Sequence, residues 1–225
     1  MEGTKLGPGR MHVGAATVAA LALAFIAATP AQAAADDASL NQQLLMAARA
    51  GDEAGVRGAL EAGAAVDSRN RVGDTALITA CKRGARPMAQ TLIERHANVN
   101  QADVAGVTPL MAAAYAGADD IVALLLAHGA DTAVTDRVGK TAMEYAAGEG
   151  QTAVVLRLVN AGLDVNRRYH NDLTALMWAA GYDREDTAKA LLAHGANPSL
   201  RDNRGMTAAD IATQTHSIHV ATLLR

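Results

Sequence analysis

Cysteine, aromatic residues and excess charge are all scarce in this chain. Cys81 is the only cysteine of 225 residues, so no intrachain disulfide can form. Aromatics make up 3% of the chain, while half of it is hydrophobic. A core of Ala, Leu, Val and Met favours closely packed helices over a β-sandwich, which draws on β-branched and aromatic residues. Formal net charge is −3, which gives no global attraction to nucleic acid or to an acidic membrane surface. Phosphate-loop patterns are missing too: no G-x-G-x-x-G opens a helix and no G-x-x-x-x-G-K-[ST] occurs.

What is present falls into two unequal parts. Lys5 and Arg10 precede an uncharged run from Met11 to Ala28, which is followed by Thr29-Pro30-Ala31-Gln32-Ala33. A basic start, a short apolar segment and an A-x-A site describe a secretory signal peptide over residues 1–33, cleaved after Ala33. The apolar run is Ala-rich, short and closed by a proline, so it suits a membrane span poorly. Its Ala-rich core and Ala-Gln-Ala end have a bacterial style, which makes the periplasm the expected destination. Residues 34–38 read as a short N-terminal tail.

The remainder, residues 39–225, repeats itself. Thr75-Ala76-Leu77, Thr108-Pro109-Leu110, Thr141-Ala142-Met143, Thr174-Ala175-Leu176 and Thr207-Ala208-Ala209 follow one another at steps of 33 residues without an insertion. Gly73, Gly106, Gly139 and Gly205 stand two residues before the Thr, with Asp172 in the fifth copy. Nine residues after it come Gly84, Gly117, Gly150, Asp183 and His216. Gly63, His96, Gly129, Gly162 and Gly195 form a third column. A first copy without its Thr runs through Leu44-Leu45-Met46-Ala47-Ala48, and the last stops inside its second helix. The copies divide the chain at about 39–67, 68–102, 103–135, 136–168, 169–201 and 202–225. Each unit reads as a turn, a short helix ended by a left-handed glycine and a second helix. One such unit encloses no core, but stacked neighbours do.

The period, the T-P-L run and the G-A-D turn resemble the ankyrin repeat. That resemblance implies an all-α solenoid of about six stacked helix-turn-helix units with β-hairpin tips, the terminal ones acting as caps. It also implies a non-catalytic module that binds another protein through its hairpin tips and concave first helices. The family's His after T-P-L is absent. Ile78, Met111, Glu144, Met177 and Asp210 stand there, so apolar packing is expected to replace its hydrogen bonds in three copies. His96 takes a place where the turn calls for positive φ.

No catalytic constellation emerges, and no cofactor is expected. Cys81 lies in a column of alanines, Ala48, Ala114, Ala147 and Ala180, which suggests an inert buried thiol. His216 and His219 lie three apart in what reads as the terminal helix and could bind metal, but no third ligand is evident. Candidate binding residues are the aromatics and cations that the repeat does not dictate. They are Tyr115, Tyr145, Trp178 and Tyr182 around the first helices, and Arg137, Lys140, Arg168 and Tyr169 near the tips. Tyr and Trp dominate binding hot spots. Tyr145 and Trp178 share a column with Met46, Thr79, Ala112 and Ile211, so packing between repeats is the competing role for both. The expected function is a periplasmic protein-binding adaptor, monomeric, with no nucleic acid or membrane partner once the signal is removed. A secreted host-directed interaction factor and an accessory to a periplasmic redox or metal enzyme are the alternatives.

Overall fold

The computed structural model of the chain describes Met1 and residues 30–225, with side chains from Asp37 onward. The expected signal segment therefore lies almost wholly outside the described residues. The backbone of residues 34–38, expected to be a tail, is helical and belongs to α1 (Pro30–Ala50).

Twelve α-helices follow one another in pairs among the described residues, and none of these residues forms a β-strand. After α1 and α2 (Glu53–Glu61) come α3 (Ala76–Arg83) with α4 (Arg86–Glu94), and α5 (Pro109–Ala116) with α6 (Asp119–Ala127). Next are α7 (Ala142–Glu149) with α8 (Thr152–Asn160), and α9 (Ala175–Gly181) with α10 (Glu185–Ala193). The last pair is α11 (Ala208–Gln214) with α12 (Ile218–Leu223). First helices pack on first helices of the next unit and second helices on second helices, which is the layout of a solenoid.

The repeated Thr works as a helix start. Thr75, Thr108, Thr174 and Thr207 accept the backbone N–H three residues on, at 3.2, 3.3, 3.3 and 3.2 Å. Left-handed residues end the first helices at Gly84, Gly117 and Gly150. Asp183 and His216 hold the same conformation at φ 55° and 58° without being glycine. Inside, Leu77, Leu110, Met143 and Leu176 are buried with the alanine pairs behind them. Ile78, Met111 and Met177 are also buried, so apolar packing does replace the missing His in three copies.

The expected hairpin tips are turns rather than ribbons. Asn70, Asp103, Asp136 and Asp202 each turn a side-chain oxygen onto two backbone N–H groups, those of the second and fourth residues after them. One backbone bond then joins tip to tip: Val104 N–H to Val72 O at 3.1 Å, Arg137 N–H to Ala105 O at 2.9 Å, and Asn203 N–H to Asn171 O at 3.1 Å. Gly73 and Gly106 make this possible. A Cβ on Gly73 would stand 2.7 Å from the Val104 nitrogen, and one on Gly106 would stand 3.0 Å from Asp136 Cα. A second series runs alongside. Asp67, Asn100 and Asn166 accept the N–H groups of Asn98, Asp131 and Asn197 at 2.9, 2.8 and 2.7 Å.

Both series skip the same seam. Between the tips of the fourth and fifth copies, Ala133 occupies the Asp67/Asn100 position and offers no acceptor. No backbone bond joins Val138 to His170 there, and a Cβ on Gly139 would meet only the His170 ring. Tyr169 stands where the other copies have Asn or Asp, and Asn171 and Asp172 both take positive φ to close the turn.

Candidate functional site

Five of the eight candidate residues gather along the solvent side of the first helices of the third to fifth copies. Tyr115 and Tyr182 are exposed, and each leans on a more buried aromatic. Tyr115 meets Tyr145 edge to face, with ring centres 6.0 Å apart at 78°. Tyr182 stacks on Trp178 at 6.0 Å and 8°. Both geometries are favoured by the ring quadrupole. Lys140 joins the two pairs, with its ammonium 4.6 Å from the Trp178 centroid and 5.5 Å from that of Tyr145. The result is one continuous row: Tyr115, Tyr145, Lys140, Trp178, Tyr182.

Tyr145 is fixed at both ends. Its hydroxyl donates to Asp136 Oδ2, and burial followed by that bond and the Asp136 charge pushes its pKa up. It therefore remains a neutral donor. With Lys82, Val107, Met111, Ala112 and Tyr115 it lines an apolar cavity of about 310 Å³. That is near the lower end of small-ligand pockets and suits one large apolar side chain.

Beneath the row lies a residue whose role the sequence did not reveal. Glu144, in the position of the family's His, is buried at 1% exposure. Its carboxylate accepts the Thr141 backbone N–H at 2.7 Å, while its other oxygen, the Trp178 indole nitrogen and the Tyr169 hydroxyl are buried without a protein hydrogen bond. Burial raises the Glu144 pKa, against the lowering effects of the Thr141 hydrogen bond and the Lys140 charge.

Two of the expected contact residues take other places. Tyr169 turns into the seam, half-buried under Arg167, whose guanidinium lies 5.5 Å from the ring centre; burial raises the phenol's pKa to about 12. Arg168 spans two tips, donating to the Arg201 carbonyl at 2.9 Å with Asp172 at 3.9 Å. Arg137 remains an exposed tip cation.

Other reactive candidates are accounted for. Cys81 is fully buried, and desolvation pushes its thiol pKa far up, so little thiolate forms. His219 bonds Asp183 at 2.6 Å, and His216 lies in the turn before α12 rather than beside it. No group of three potential metal ligands occurs among the described residues, and none of their helices is long and apolar enough to cross a membrane.

A sequence model described as ankyrin repeats, in three copies, matches residues 44–136, 106–169 and 143–225. The chain belongs to the ankyrin-repeat family. A search of curated proteins found no match. Ankyrin repeats are generally protein–protein interaction modules and typically non-catalytic, which agrees with a site made of rings, cations and one apolar cavity. In ankyrin terms, the departures at Glu144, Tyr169 and Asp172 fall in its fourth and fifth units.

Proposed function

We propose that the protein is a non-catalytic adaptor that binds a partner protein through the Tyr115–Tyr145–Lys140–Trp178–Tyr182 row. Residues 1–33 act as an export signal in this reading, and the adaptor works in the bacterial periplasm as a monomer. One observation carries the binding site: two tyrosines stand about half exposed, at 56% and 52%, while their ring partners and Lys140 hold them in place. Rings held in one orientation lose little entropy on binding, and a cation between them supplies direction.

The test uses a partner recovered by cross-linking from periplasmic extract. Tyr182→Ala is expected to weaken its binding by about thirtyfold, the equivalent of roughly 2 kcal/mol, while the melting temperature stays near wild type. Arg57→Ala, on the exposed side of α2, is the control. If Arg57→Ala weakens binding and Tyr182→Ala does not, the partner uses the second-helix side.

A further inference from the structure

A second surface adjoins the aromatic row and has a different chemistry. Among the described residues the first copy has no tip: α1 stands in its place, and Asn41 accepts the Ala65 N–H at 2.7 Å. The tip of the second copy, residues 68–74, therefore projects past α1 and encloses a cleft of about 1150 Å³. Arg49, Arg69, Arg71, Lys82 and Arg83 line it, against the single carboxylate of Asp74. Lys82 is already paired, 2.7 Å from Asp74 and 3.9 Å from Asp103. The four arginines have no ion pair among the described residues. Arg69 is held by the Ala102 carbonyl, whereas Arg71 is exposed on the tip and Arg83 lies against Gly51 at the end of α3.

From this surface we infer that the cleft takes an acidic segment of a partner polypeptide, in which carboxylates alternate with leucine-like side chains. The inference rests on the adaptor reading above and names the chemistry of its partner. Like charges converging on one cleft with low-dielectric walls focus a positive potential, and arginine grips carboxylates with two parallel bonds. Between the arginines the cleft carries the aliphatic side chains of Leu45, the exposed Met46 and the exposed Val72, beside the polar ones of Asn41, Gln42, Ser68, Asn70 and Thr79. No aromatic ring lines it, so unpaired bases would find no stacking platform. An acidic polypeptide with leucine-like side chains matches both the cations and these aliphatic side chains. Lys82 borders this cleft and the Tyr115–Tyr145 cavity alike, so one segment can run from the first into the second.

The probe is a short fluorescein-labelled peptide of the pattern Glu-Asp-Leu-Glu-Asp-Leu-Glu, titrated with the full chain and followed by anisotropy. Binding is expected to weaken with salt, and about tenfold or more with Arg71→Glu and Arg83→Glu together. Arg71→Gln with Arg83→Gln, a milder pair checked by melting, is expected to weaken it in the same direction. No binding, or binding that both double variants leave intact, overturns the inference. So does displacement by a single-stranded DNA oligonucleotide at equal concentration, which would mark the cleft as a general anion site. Arg57→Ala lies outside both the cleft and the cavity and is expected to leave the peptide's affinity unchanged. If the peptide fails while Tyr182→Ala still weakens the captured partner, the cleft assignment falls and the adaptor reading stands. If the peptide result holds while Tyr182→Ala is neutral toward that partner, the aromatic row is the assignment that falls.

Discussion

His96 and Asp183 both hold positive φ, at 64° and 55°, yet their substitutions are expected to act in opposite directions. A non-glycine residue in this region costs on the order of 1 kcal/mol. The His96 side chain is exposed and makes no hydrogen bond, so nothing offsets that cost. His96→Gly should raise the melting temperature by about 2–4 °C. The Asp183 carboxylate accepts the Val220 N–H at 3.0 Å and bonds His219, so Asp183→Gly relieves the backbone but unties α12. Its melting temperature should fall, and calorimetry of the two variants beside wild type decides both signs. The His96 conformation was legible in the sequence, because the glycine column that it interrupts marks the turn. The bonds of Asp183 were not, since its partners lie 36 and 37 residues away and nothing in a repeat pattern announces a side-chain contact across units. Glu144 is a similar case. A column that reads Ile, Met, Met is a core column, and the sequence leaves open whether an acidic member turns outward or goes in.

At the scale of the element, α12 is attached by a titratable clasp. The Asp183 bond, then the Asp183 charge, with Glu185 adding a smaller share, raises the His219 pKa above its ordinary 6.5. The Val220 N–H and then His219 lower that of Asp183 below 3.8. A histidine whose folded pKa is raised contributes stability that is fully present below its unfolded pKa and is lost as pH rises through the folded one. The lowered Asp183 contributes above its own unfolded value. The clasp is therefore strongest between about pH 4 and 6.5 and slackens above that range. Amide exchange of the α12 backbone should be slower than in a His219→Ala variant near pH 5.5, with a smaller difference at pH 9. An equal difference at both pH values would show that the clasp does not titrate in this window. The pairing of helices in α3 to α10 was legible from the period alone. The tips were less so: the family pattern implies hairpins, but these turns spend their hydrogen-bonding groups on Asx side chains and one cross-tip bond, too few for a strand.

On the scale of the whole molecule, stability is a sum over units and the interfaces between neighbours. The outermost surface of the last unit is wet, with Asp210, Thr213, Gln214 and Thr215 exposed, while α11 and α12 cover α9 and α10. Deleting residues 202–225 should bare that apolar interface and give aggregates in sedimentation; a soluble truncation that melts cooperatively would show that the sixth unit is no cap. The seam between the fourth and fifth tips bears on the molecule as a mechanical object. Everywhere else from the second unit on, two strings of hydrogen bonds stitch the tip edge, so the helix edge and the tip edge resist bending together. At that seam only the helix edge is continuous. A rod with one unstitched joint concentrates its curvature there, and a load drawing the two ends together folds it like a crease. Lys140, reaching from its own tip to the Trp178 ring, is the strap across that crease, and the angle between the two halves sets how far apart the two aromatic pairs stand.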